Sequence, residues 1–279
     1  LRERVPGGLA PGRETLVRGA NGDYLTEVEQ LLEQHHHELA ALIIEPLVQG
    51  AAGMVMQPIG FVGGLRDLAD RYNVLLILDE VATGFGRTGT MFACEQEGVS
   101  PDFLCLGKGI TSGYLPMAAT LTTPHIWETF LGDAESGRAL YHGHTYSGNP
   151  LAAAAGLASL DVFEDEQTLA NLPPKIERLG ERLAELADHP HVAHPRQCGM
   201  IVAFDLVAEK HTGELFPPDA RIGQRVAKAA LDRGVWLRAR DDMAYAMPPL
   251  SISLKEIDIL MDAMLAGVEQ ATGAAIATA

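Results

Sequence analysis

Three short apolar runs, each closed by a turn signal or a charge, constrain the fold of this chain more than any other feature. They are 41-ALIIEPL-47, 74-VLLILDEV-81 and 102-DFLCLG-107. None alternates cleanly between apolar and polar residues, which is the pattern of strands in a parallel sheet covered on both faces. Between the first two lie a glycine-rich loop, QGAAGM, and a segment of helical period, 61-FVGGLRDLADRYN-73. Strand, helix and strand in that order predict an α/β layer: a mostly parallel central sheet with helices on both faces. A fourth apolar segment, 116-PMAATLT-122, is expected to join it. Upstream, residues 25–40 carry Leu25, Val28, Leu31 and Leu32 at helical spacing, and residues 1–24 read as loop.

The texture changes after Asn149. An alanine-rich helix over 150–165 and an amphipathic helix after Pro173 and Pro174 are predicted, with strands at 196–207 and 235–239. A helix near 218–234 lies between those strands, and another over 254–270 precedes a frayed end. This pattern predicts a smaller C-terminal α+β domain, with the chain divided into 1–165 and 166–279.

Charge and cysteine usage narrow the function classes. The formal net charge of −16 argues against a nucleic-acid partner and, more weakly, against an anionic membrane surface. No apolar run reaches the roughly 18 residues of a membrane span. Cys94, Cys105 and Cys198 are few, odd in number and scattered, so neither a disulfide framework nor a structural zinc site is expected. A reducing, cytoplasmic compartment fits that usage. The consecutive His35, His36 and His37 do not face one another on a helix and make a poor metal cage.

Chemistry concentrates at the predicted strand ends. Asp79 closes one strand, where an open α/β sheet places its ligands, and is either a cap or a ligand contact. Glu80 should point the other way, so the two acids are not a paired acid–base site. The spacing of 84-GFGRTG-89 matches a dinucleotide fingerprint, but without the second strand and acid it is weak, and these glycines are expected to shape an active-site loop. Lys108 stands between Gly107 and Gly109 after the next strand. It is either a solvent-facing lysine or an amine offered to a carbonyl, with which it can form a Schiff base. An amine and an acid at neighbouring strand ends suit pyridoxal phosphate, which needs a lysine for its aldehyde and an acid at its pyridine nitrogen. Farther on, 141-YHGHTYSGNP-150 sets hydroxyls before a helix, where they suit an N-cap or an anion site, and Thr145 is a candidate phosphate contact. Arg238 and Arg240 alternate on a predicted strand and are either surface charges or partners for a carboxylate.

Together these stretches resemble the class III, fold-type I aminotransferases that depend on pyridoxal 5'-phosphate. The resemblance rests on 44-IEPLVQGAAGM-54, 76-LILDEVATGFGRTGTMFACE-95, 99-VSPDFLCLGKGITSGYLPMAATLTT-123 and 142-HGHTYSGNPLAAAAGLASL-160. It implies that Asp79 bonds the pyridine nitrogen, Val81 packs on the ring, and Lys108 forms the Schiff base and moves the proton. It also implies that Thr145, with His144 beside it, serves the cofactor across a homodimer interface. Arg238 would receive a substrate carboxylate, with Gly143 and Arg87 also placed at the substrate. Within the family the resemblance is greatest to the branch serving biotin synthesis. That implies transfer of an amino group from S-adenosylmethionine to 8-amino-7-oxononanoate, giving 7,8-diaminononanoate. Two alternatives stay open: another class III enzyme acting on an ω-amine such as ornithine, acetylornithine, 4-aminobutyrate or a diamine, and a truncated inactive homologue. Family members are longer than this chain, which is expected to match their later part. The family's Gly-Ser phosphate turn has no counterpart upstream of Asp79, since residues 7–12 and GANG at 19–22 are poor substitutes.

Overall fold

The computed structural model describes residues 21–240 and 242–273. The chain opens with α1 (Asn21–His35), followed by β1 (Ala41–Ile44), β2 (Val48–Gln49), β3 (Val55–Met56), α2 (Phe61–Tyr72) and β4 (Leu75–Asp79). Next come β5 (Phe103–Leu106), β6 (Ala119–Thr122), α3 (Pro124–Thr129), α4 (Pro150–Asp165) and α5 (Pro173–Ala187). The last third holds β7 (Val192–Cys198), β8 (Ile201–Glu209), β9 (Glu214–Leu215), α6 (Ile222–Leu231), β10 (Arg238–Arg240), β11 (Met243–Ala246) and α7 (Leu254–Thr272). Among the described residues no helix is long and apolar enough to cross a membrane.

The predicted α/β layer is a four-stranded sheet in the order β1-β4-β5-β6. β1, β4 and β5 run parallel, and β6 returns antiparallel to β5. Its register aligns Leu42 with Leu76 and Ile44 with Leu78, so these side chains share one face. That face is sealed by α2, with Val62, Leu65 and Ala69 in the same core as Leu76 and Leu78. Among the described residues, cover on the opposite face is incomplete, and Ile43 there is 67% exposed.

Local signals explain the ends of α2. Gly60, at φ 83°, starts it, and the distant Glu97 carboxylate accepts the Gly60 and Gly63 N–H groups at 2.9 Å each. Asn73, at φ 54°, ends it in the left-handed region that asparagine tolerates. The last helix carries a capping box between Ser253 and Glu256.

The C-terminal part is an antiparallel sheet, β10-β11-β8-β7 with β9 on β8, covered by α5, α6 and α7. Strand β8 divides its side chains between two cores. Val202, Phe204 and Leu206 meet the helices, and Ile201 and Ala203 meet the core of the first sheet. Two readings need correction. The strand expected over 196–207 is a hairpin of β7 and β8 that turns at Gly199, φ 56°. The segment 21–24, expected as loop, is already helical in α1. The candidate turn at 7–12 lies outside the described residues. The three cysteines are free, and among the described residues no cluster of potential metal ligands occurs.

Candidate active site

Strands β4 and β5 lie side by side with Asp79 opposite Cys105, so both open onto one edge of the sheet. Asp79 Oδ1 accepts the Val81 N–H at 3.0 Å, which turns the chain off the strand. Glu80 does point away and is fully buried. Its Oε2 accepts the Ala93 N–H at 2.6 Å and its Oε1 the Cys94 N–H at 2.8 Å, while the Thr83 hydroxyl donates at 3.4 Å. One carboxylate therefore ties both ends of the loop that carries 84-GFGRTG-89. Burial raises the Glu80 pKa, and these hydrogen bonds pull it back. Burial, then the Glu80 charge, pushes up the Cys94 thiol.

Glu80→Gln should therefore loosen this loop. Glutamine has one acceptor oxygen where two amides need one each, and a buried donor left unpaired costs about 1–3 kcal/mol. Chemical denaturation at neutral pH measures that loss.

Lys108 opens a short 3-10 turn, Lys108–Thr111, directly after β5. It sits at φ 40°, a left-handed position that costs a non-glycine residue about 1–2 kcal/mol. Space is tight at both flanking glycines, most of all at Gly109. A Cβ on Gly107 would stand 3.2 Å from Val81 Cγ1, and one on Gly109 would stand 2.7 Å from Phe85 Cβ. The two loops interlock there, and the Lys108 side chain is left exposed. Among the described residues its amine makes no hydrogen bond or ion pair.

A cavity of about 650 Å³ opens at this turn, lined by Val81, Phe85, Arg87, Lys108, Ser112 and Lys175 together with the 247-MPPLS-251 loop. Arg87 Nη1 donates to the Pro248 carbonyl and Lys175 Nζ to the Leu250 carbonyl, both at 2.6 Å. Two cations thus hold alternate carbonyls of one loop. Burial lowers the Arg87 guanidinium to about 10.

The cavity brings together Val81, Arg87 and Lys108 of the sequence-predicted residues. Asp79 stands at the neighbouring strand end, outside the lining. Gly143, His144 and Thr145 lie in an exposed loop away from it. There Ser147 Oγ accepts the His144 N–H at 3.0 Å, and His144 Nδ1 accepts the Tyr146 N–H at 3.1 Å. The cap of α4 is Asn149, whose Oδ1 accepts the Leu151 N–H at 2.9 Å, and not one of the preceding hydroxyls. Arg238 is exposed on β10, and Arg240 lines a second hollow of about 420 Å³ beside Arg196 and Asp205. Sequence reasoning missed Lys175 and the Met247–Ser251 wall. The nearest sequence features are Pro-Pro pairs, at 173–174 in the first turn of α5 and at 248–249 in the wall itself.

This donor set fits pyridoxal phosphate: an unpartnered amine on a strained turn, a carboxylate at the adjoining strand end, and Val81 held against Gly107 to present an apolar surface. Comparison with known proteins agrees with that chemistry. The family model for class III aminotransferases matches residues 12–268, and the chain belongs to that family. It is 57% identical to the adenosylmethionine-8-amino-7-oxononanoate aminotransferase of Nitratidesulfovibrio vulgaris, over 85% of this chain and 44% of that protein. Against the enzyme of the same name from Geobacter sulfurreducens it is 49% identical, over 94% of this chain and 58% of the relative. The crystal structure of the Methanocaldococcus jannaschii enzyme of that name superposes with a TM-score of 0.85 at 43% identity, covering 88% of this chain and 57% of that one. An (S)-enantioselective omega-transaminase from Thermomicrobium roseum gives 0.84 at 36% identity, covering 93% and 58%. The chain thus spans about half the length of the relatives it matches.

Proposed function

We propose that the protein is a pyridoxal-phosphate aminotransferase that moves the amino group of S-adenosylmethionine to 8-amino-7-oxononanoate, giving 7,8-diaminononanoate for biotin synthesis. The observation that carries this reading is Lys108, an unpartnered amine on a strained turn at the cavity wall, one strand away from Asp79. When bound, pyridoxal phosphate supplies an aldehyde that takes up an amine and a ring that withdraws electrons from the adjacent carbon. Lys108 Nζ would hold that aldehyde and, once released, carry a proton to or from the substrate carbon. Asp79 would accept from the pyridine N–H and keep it protonated. Its Oδ1 is already fixed by the Val81 N–H, so the carboxylate is oriented before any ligand arrives. Val81 would set the ring plane, and Arg87 and Lys175 bring positive charge to an acidic substrate.

The two regions would meet as a larger domain over 1–165 and a smaller one over 166–279. A homodimer is part of the same reading, with Thr145 and His144 serving the partner's cofactor, and Gly143 and Arg238 placed at the substrate. Supporting it, α4 and the preceding loop leave large apolar side chains in solvent, with Leu151 70% and Tyr141 95% exposed. The acidic chain and its free cysteines suit a cytoplasmic enzyme of small molecules.

The likeness to an omega-transaminase favours one second reading, transfer from an ω-amine donor. Donor choice separates the two. Incubation with 8-amino-7-oxononanoate and either S-adenosylmethionine or a simple diamine, followed by mass spectrometry, should show 7,8-diaminononanoate with S-adenosylmethionine. Product formed only from the diamine would establish the second reading.

A further inference from the structure

Something must hold the Lys108 turn in place, because it is left-handed at both ends. Lys108 has φ 40° and Ser112, which closes the turn, has φ 50°. Inside the turn, the Ile110 N–H donates to Gly107 O at 3.0 Å and the Ser112 N–H to Gly109 O at 3.1 Å. The Gly109 carbonyl has a second donor from a remote part of the chain. Ser159, on α4, sends its hydroxyl toward Gly109 O at 3.4 Å and stands 2.7 Å from the Ser112 hydroxyl. Either hydroxyl can donate in the 2.7 Å bond, and with Ser112 Oγ as its donor the Ser159 hydrogen is directed to Gly109 O. Ser159 is buried, and Ser112 lines the cavity. The helix can come this close because its contact face is small. Ala152 and Gly156 are the other buried residues on it, and a Cβ on Gly156 would stand 3.4 Å from the Ile110 carbonyl.

We propose that Ser159 is a positioning residue: through Ser112 and the Gly109 carbonyl it fixes the turn that presents the Lys108 amine to the cavity. This rests on the reading of Lys108 as the reactive amine, and it assigns α4, which packs on that turn, a part in the chemistry. The hydroxyl pair acts only through the turn, so its loss should change how Lys108 reacts more than how stably the protein folds.

The test uses Ser159→Ala, Ser112→Ala and the double variant, each read in three ways. Hydrogen exchange of the Ile110 and Ser112 amides, measured without cofactor, reports the turn itself. The rate at which pyridoxal phosphate is trapped on Lys108 by cyanoborohydride, with peptide mapping, reports the amine. A thermal melt reports the fold. Both single variants should speed exchange several-fold and slow trapping on the order of tenfold, with nearly unchanged melting. The double variant should be no worse than either single, since one chain of hydrogen bonds is broken in each. Unchanged exchange would overturn the proposal, and so would faster exchange with unaltered trapping. If the unsubstituted protein traps no cofactor on Lys108, the cofactor reading fails, and the exchange measurement still decides whether Ser159 holds the turn.

Discussion

Lys108→Ala should abolish amino transfer and leave the fold as stable as before. The two halves of that result have separate causes. The amine is exposed and makes no hydrogen bond or ion pair among the described residues, so its removal leaves no buried group unsatisfied. The backbone keeps the same left-handed φ with alanine, so strain is unchanged as well. Activity is another matter, because the amine is assigned both the attachment of the cofactor and the proton transfer. A positioned proton-transfer group alone contributes up to about 10,000-fold. Steady-state rates with the preferred donor, beside a thermal melt of the same sample, should show activity at background and an unmoved midpoint. A melt that falls together with activity would make Lys108 a structural residue.

The largest effect on stability is expected at Gly199. It turns the β7–β8 hairpin at φ 56°, where an L side chain is strained by about 1–2 kcal/mol. Space is the greater obstacle. An added Cβ would stand 2.3 Å from the carbonyl carbon and 2.5 Å from the Cα of Thr88. Those atoms are backbone and cannot rotate away. They are also held, since Gln96 Nε2 donates to the Thr88 carbonyl at 2.7 Å and the Met200 N–H to the Arg87 carbonyl at 2.9 Å. Relief requires the 84–89 loop to shift, and forced repacking of this kind adds about 1–3 kcal/mol. Gly199→Ala should therefore cost on the order of 4 kcal/mol, visible as a lower urea midpoint. Gly234→Ala is the control. It has φ 82° with nothing within 4 Å of the new Cβ, so only the backbone strain remains. Equal losses in the two variants would mean that the Thr88 contact is not rigid. The larger loss at Gly199 should also disturb cofactor binding, because the loop that must move carries Arg87 and Phe85 on the cavity wall.

The two predictions show what could be read from the residues. The parallel strands were legible because each is one apolar run, with a helix between the first two, a local pattern. Asp79 and Lys108 were legible because each follows such a run, where an α/β sheet opens. The β7–β8 hairpin was not, because IVAFDLV and the residues before Gly199 give no strong two-residue turn signal, and one long strand was the simpler reading. The cavity's far wall was not legible either. Arg87 reaches Pro248 across 161 residues and Lys175 reaches Leu250 across 75, and nothing local in the chain marks such pairs. Ser159 stands in an alanine-rich helix 47 residues past its partner, and nothing local marks it. Gly143, His144, Thr145 and Arg238 show the limit from the other side. Their motifs were legible, yet a single chain leaves them exposed and away from the Lys108 cavity.

The central claim is that Lys108 is the amine that takes the cofactor. Incubation with pyridoxal phosphate, reduction with borohydride and peptide mapping tests it most directly. The result expected is one pyridoxyl group, on the peptide containing Lys108, absent from Lys108→Ala. Labelling confined to other lysines, or equal labelling of the Lys108→Ala protein, would contradict it.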